Sequence, residues 1–286
     1  MSPPVEVRPF RRSDRDQLTH LVKSHAAAVV PGMGASVSAV LSSLERQPGE
    51  FIEDPWVSER LTLVAEQHDR ITAAAHLLRY FPDERAGIAA RDVGVIDWLL
   101  FWPEAPAGNP CWPDATPAAD ELMAGCISQL QEWGVARQEA GGDLPVRGVY
   151  GIPDQWPHIS ALYERAGFTH TGHTEIIFMA RVDDLPRPAD VPIAGLSVCR
   201  TAGMNGTRLS AVLGSEVVGH IEVEIFDEGE RLTRHGGWDR LLDYAWLEGT
   251  DPGGLDYADQ RAFLPAAGFT ELTRTRRGWT RTPHEI

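Results

Sequence analysis

The chain has 286 residues, 43% of them hydrophobic, with 26 basic against 41 acidic side chains and a formal net charge of −15. That length accommodates roughly two domains. So acidic a balance lacks the basic footprint that nucleic-acid phosphates require, and no apolar run reaches the ~18 residues of a membrane span. Cys111, Cys126 and Cys199 are far apart and lack metal-ligand spacing, as expected of reduced thiols in a cytoplasmic protein. The opening Met-Ser-Pro-Pro-Val-Glu-Val-Arg has no apolar signal-peptide core.

The first half alternates β and α signals. Residues 5–9 read as a strand, and Ser13 as the cap of a helix over 13–28, with Asp16 at the capping-box position. A Pro-Gly break at 31–34 precedes a second helix at 37–46. Strands follow at 61–66 and 71–80, joined by the polar turn Gln67-His68-Asp69-Arg70. The apolar stretch 93–102 is rich enough to be a central strand. After the turn-rich segment 103–115, Thr116 and Pro117 are placed at the N-cap and first position of a helix running to about 138. A short strand at 146–150, a helix carrying residues 159–166 and a strand over 168–181 complete this half. In that helix Ile159, Leu162 and Ala166 share a face, and Gly167 takes the left-handed position after it. The Pro- and Asp-rich stretch 183–194 is the expected linker between domains at 1–182 and 195–286.

The second half repeats the first in abbreviated form. Val217-Val218-Gly219 matches Ile71-Thr72-Ala73, Leu242-Asp243-Tyr244 matches Ile96-Asp97-Trp98, and Ala267-Gly268-Phe269 matches Ala166-Gly167-Phe168. Asp97 and Asp243 are 146 positions apart but Gly167 and Gly268 only 101, so the second copy lacks 45 residues between its central strand and last helix. The missing piece corresponds to the long helix and the short strand after it. The constant order of the matches points to tandem duplication.

The element order over residues 4–182, with the phrase Leu162-Tyr163-Glu164-Arg165-Ala166-Gly167-Phe168, resembles the GNAT family, the acyl-CoA-dependent N-acetyltransferases. The second half resembles a trimmed copy. The resemblance implies an α/β (α+β) fold of mixed, mostly antiparallel sheets flanked by helices. It implies that the sheet splays after the strand at 93–102, with the pantetheine arm of acetyl-CoA in the gap. Backbone N–H groups near Leu100 and Phe101 would meet the oxyanion. The pyrophosphate would rest on Gly108 and the helix N-terminus at Thr116, where unpaired N–H groups and the helix dipole favour an anion. Tyr163 would touch the cofactor and give the departing thiolate its proton.

Three departures from the family pattern bear on this expectation. The loop 103–115 has one glycine and four prolines, and prolines have no N–H to offer. Its Glu104 and Asp114 would repel a pyrophosphate, and Trp156 stands where the family often has asparagine. The second copy has Leu264 in place of the tyrosine, so any catalysis is expected in the first half. Glu104 and Asp97 are the nearest carboxylates for a general base. Asp97 recurs as Asp243 in the trimmed copy, which favours a structural role, and deprotonation through water is the alternative to Glu104.

The remaining motifs carry less. His170 and His173 sit in a strand and turn, where this spacing does not converge two rings on one metal, and no metal site is expected. Asp227-Glu228-Gly229-Glu230 is an acidic turn that is either solvated or attractive to a polyamine. Trp98, Phe101, Trp102 and Trp112 either pack the core or line an acceptor pocket. Arg274-Thr275-Arg276-Arg277 is basic but isolated. Two functions stay open: an N-acetyltransferase acting on a small amine, and a non-catalytic ligand-binding or interaction module built on the same fold. A homo-oligomer is compatible with either.

Overall fold

The computed structural model describes residues 4–30, 33–46, 55–102, 114–145, 149, 151–172, 174–181, 193–202, 207–223, 244–248 and 265–282. Strand β1 (Glu6–Pro9) leads through a 3₁₀ turn at Arg12–Asp14 into helix α1 (Arg15–Val29). The expected Ser13 cap is not used. Asp14 instead accepts the Arg11 N–H at 2.8 Å and receives the Arg8 guanidinium at 2.7 Å, so this buried pair fixes the turn. Helix α2 (Val37–Leu44) is capped by Ser36, whose hydroxyl accepts the Ala39 N–H.

Strands β2 (Val57–Gln67), β3 (Arg70–Tyr80) and β4 (Val93–Phe101) extend β1 as an antiparallel meander. The β2–β3 turn puts His68 and Asp69 at φ 55° and 59°, a two-residue turn that matches the twist of the flanking strands. Ala73, Ala74 and Ala75 on β3 are all fully buried; since neighbours point to opposite faces, both faces of the sheet are covered there.

Helix α3 (Thr116–Glu132) is shorter than expected, and β5 (Arg137–Ala140) occupies residues assigned to its end. Gly134 at φ 66° stops the helix, and Arg137–Ala140 pairs parallel with Val93–Ile96. Arg-Gln-Glu-Ala is a helix-favouring sequence, and pairing with β4 overrides it. Of the strand expected at 146–150, only residue 149 is described. After β6 (Ile152–Pro153) comes α4 (Pro157–Arg165), and Gly167 and Gly268 both take positive φ, 84° and 93°. The strand expected over 168–181 is two, β7 (Thr169–His170) and β8 (Thr174–Arg181).

The second half supplies β9 (Leu196–Ala202), β10 (Thr207–Leu213), β11 (Glu216–Val223), β12 (Tyr244–Glu248), β13 (Thr270–Arg276) and β14 (Trp279–Arg281). Strands β9–β11 form an antiparallel sheet in the order β11-β10-β9. The other strands are shared. One sheet runs β1-β2-β3-β4-β5-β14-β7 and the other β12-β8-β13-β6. After its Gly-Phe, each copy forms two strands, β7 and β8 in the first and β13 and β14 in the second. The second strand of each pair lies in the other copy's sheet. Strand β14 sits between β5 and β7, and β8 sits between β12 and β13. The two halves of the sequence have exchanged strands reciprocally.

The exchange passes through one crossing. The Thr171 and Gly172 N–H groups both donate to the Gly278 carbonyl, at 2.9 and 3.0 Å. A Cβ on Gly172 would lie 2.1 Å from the Arg277 carbonyl oxygen, so only glycine fits. Trp279, beside the crossing, is buried with its ring 5.9 Å from that of Tyr163. The second copy's last strand thereby packs against the first copy's candidate catalytic residue.

Candidate functional site

The sheet forks at Asp97. Below it β4 and β5 pair in parallel; the last contacts are the Gly141 N–H to the Ile96 carbonyl, 2.9 Å, and the Asp143 N–H to the Asp97 carbonyl, 3.1 Å. Beyond it, residues 98–101 pair only with β3 among the described residues. Leu100 and Phe101 are buried on this stretch.

Tyr163 stands at the fork. Its ring is fully buried, 5.6 Å from Phe168, and its hydroxyl donates to the Gly141 carbonyl at 3.1 Å. Burial, reinforced by Cys126, Asp97 and Asp143, pushes its pKa well above that of an ordinary tyrosine. The hydroxyl therefore keeps its proton at neutral pH. The opposite edge holds Asp143, which accepts the Gly151 N–H at 3.2 Å, and Arg277, 3.4 Å from Glu175.

The start of α3 differs from the sequence expectation. Ala115, not Thr116, is the N-cap, and Thr116 is the first helical residue. The Thr116 N–H donates to the Asp114 carboxylate at 3.0 Å, so a side-chain anion already occupies part of the position expected for pyrophosphate. Glu104, Gly108 and Trp112 lie outside the described residues. Of the other aromatics, Trp98 is buried and stacks on His76, and Trp102 donates its indole N–H to the Ile71 carbonyl. Trp98 and Phe101 are core residues.

A histidine pair, absent from the sequence reading, fills the space beside Phe101. His25 on α1 is 3% exposed and makes a 2.9 Å hydrogen bond from Nδ1 to the Leu21 carbonyl. Its Nε2 lies 3.4 Å from Nε2 of His158, which is half-buried in the first turn of α4. The Phe101 ring meets His158 edge-on at 4.8 Å. Trp156 donates its indole N–H to the His25 carbonyl at 3.2 Å, so the residue replacing the family's asparagine ties α4 to α1. Burial lowers both histidines to about 4, His158 also feeling His25, and both are neutral at pH 7. One signal was legible: His25 interrupts the apolar face formed by Leu18, Leu21, Val22 and Ala26. The partner on α4 was not.

The acidic turn 227–230 lies outside the described residues. His170 packs on Trp279 at 5.4 Å, His173 is outside the described residues, and among the described residues no three His, Cys, Asp or Glu side chains group as metal ligands. The arginines of 274–277 pair with Glu271, Asp154 and Glu175. Cys126 is a buried free thiol and Cys199 an exposed one. No described helix is long and apolar enough to cross a membrane.

The chain carries the GNAT fold in tandem arrangement. It is similar to a tandem GNAT protein of the clavulanic acid biosynthesis pathway solved without acetyl-CoA, with a TM-score of 0.57 and 15% identity over 99% of this chain and 100% of that one. It is also similar to a fungal multi-domain GH3 β-N-acetylglucosaminidase that contains a GCN5-related glucosamine N-acetyltransferase region. There the TM-score is 0.56 and the identity 11%, over 98% of this chain and 38% of that chain's length. No protein-family model and no curated protein matches the sequence.

Proposed function

We propose that the chain is an N-acetyltransferase that moves an acetyl group from acetyl-CoA to a small primary amine. The observation that carries this reading is the fork at Asp97 with a protonated Tyr163 hydroxyl held at its apex. The pantetheine arm would enter between β4 and β5, and the pyrophosphate would lie at the start of α3 near Thr116. The amine attacks the thioester carbonyl, the N–C bond forms, and the carbonyl electron pair moves to oxygen near Leu100 and Phe101. Collapse breaks the C–S bond and the sulfur takes the proton of Tyr163. The net charge of −15 favours cationic acceptors such as amino sugars and polyamines. Binding without turnover is the second reading, and Asp114 at the head of α3 is what favours it. Calorimetric titration with acetyl-CoA tests the proposal: saturable binding is expected, and no heat at millimolar acetyl-CoA overturns it.

A further inference from the structure

The acetyltransferase reading leaves one proton without a destination, because the attacking amine becomes a cation in the tetrahedral adduct. We propose that His158, backed by His25, is the base that accepts this proton. The inference rests on the acetyltransferase reading and on the geometry beside Phe101.

Two contacts in the cluster each call for a proton: His25 Nδ1 with the Leu21 carbonyl at 2.9 Å, and His25 Nε2 with His158 Nε2 at 3.4 Å. Two neutral imidazoles bring two N–H groups, one for each contact. With Nδ1 of His25 donating to Leu21, its Nε2 presents a lone pair, which His158 meets through its own Nε2–H. Nδ1 of His158 is then left bare and basic. One more proton fits there without breaking either contact. His25 positions His158 through the ring–ring contact and passes part of the arriving charge towards the Leu21 carbonyl. Burial keeps the pair neutral while it waits.

The location fits the chemistry. His158 meets the ring of Phe101 edge-on, and the Phe101 backbone is at the expected oxyanion position. It is half-exposed, whereas His25 behind it is sealed by Trp156, Trp102 and α1. On α1 His20 meets Trp102 at 5.2 Å with its ring tilted, and α4 and β4 bring Trp156 and Phe101. Among the described residues no carboxylate or guanidinium is bonded to either ring. The base therefore takes its proton from the adduct rather than from a neighbouring acid. It returns that proton to solvent after the amide leaves, and Tyr163 is reprotonated from solvent as CoA departs as a thiol.

The test measures acetyl-CoA affinity by calorimetry and CoA release with glucosamine, spermidine and hydroxylamine, for the full chain and for His158→Ala, His158→Gln and His25→Gln. Expected are acetyl-CoA affinities within about twofold of the parent and a loss of kcat of about 100-fold or more in both His158 variants, the scale of general-base catalysis. Added imidazole should restore part of the His158→Ala rate. His25→Gln should shift the acidic limb of the kcat–pH profile without abolishing it. Unchanged kcat in the His158 variants, loss without rescue by imidazole, or acetyl-CoA binding with no turnover of any of the three amines overturns the base assignment and leaves the cofactor reading standing. Absence of acetyl-CoA binding to the parent overturns both.

Discussion

The Tyr163 hydroxyl donates to the Gly141 carbonyl at the point where β4 and β5 part. The bond orients the phenol while burial keeps it protonated, the state a thiolate leaving group requires. Tyr163→Phe keeps the ring that packs on Phe168 and Trp279 and deletes only this donor. Stability should fall by about 1 kcal/mol, the net value of one hydrogen bond. Acetyl-CoA affinity should hold while kcat falls about 100-fold. Equal rates for parent and variant would remove Tyr163 from the chemistry and leave it as a clamp on the fork.

Asp114 places a negative charge at the head of α3, with its carboxylate on the Thr116 N–H. Charge at a helix N-terminus is worth about 0.3–1 kcal/mol at low salt, and here it opposes an incoming pyrophosphate. Asp114→Asn should tighten acetyl-CoA binding roughly two- to fivefold, with the gain shrinking as salt is added. Unchanged or weaker calorimetric affinity would show that the phosphates do not approach this helix end.

The strand exchange rests on Gly172. An alanine there would drive its Cβ into the Arg277 carbonyl and disturb the two N–H bonds to Gly278. The obstacle is backbone on both sides, so the crossing must open. Gly172→Ala should cost about 3 kcal/mol, measured by denaturant unfolding. Gly219→Ala on β11 is the control, because nothing lies within 4 Å of its Cβ and its effect should be a few tenths of that.

The duplicated Gly-Phe phrases were visible in the sequence because helix ends and buried strands leave local signatures, and Gly167 and Gly268 both adopt the left-handed conformation they imply. The meander before β4 was legible for the same reason. Strand β5 was not, since Arg-Gln-Glu-Ala carries a helical preference that pairing with β4 on one side and β14 on the other overrules. The exchange of β8 and β14 was hidden more deeply. A strand's alternation states which faces are buried and is silent on which copy supplies the neighbour. Among the candidate residues, Tyr163 stands out in the sequence by its local phrase, whereas His158 gains meaning only from His25, 133 positions away.

The histidine pair also makes a pH prediction whose sign follows from the direction of its shifts. Both pKa values lie near 4 in the folded chain, against an ordinary 6.5. Between those values the unfolded chain binds protons that the folded chain refuses, so folding stability is complete above about pH 6.5 and falls as pH drops towards 4. For His25 alone the loss reaches about 3 kcal/mol over that window. Asp14 acts in a separate range. Burial would raise its pKa, but hydrogen bonds from the Arg8 guanidinium and the Arg11 N–H outweigh this and hold it below the ordinary carboxylate value. Its contribution is therefore present above the unfolded value, about 3.9, and disappears only as pH falls further. A Tm profile should thus decline in two stages, and the double variant His25→Gln, His158→Gln should flatten the upper stage while leaving the lower one in place. A double variant that declines as steeply as the parent between pH 6.5 and 4 would show that the pair is not held neutral in the folded chain.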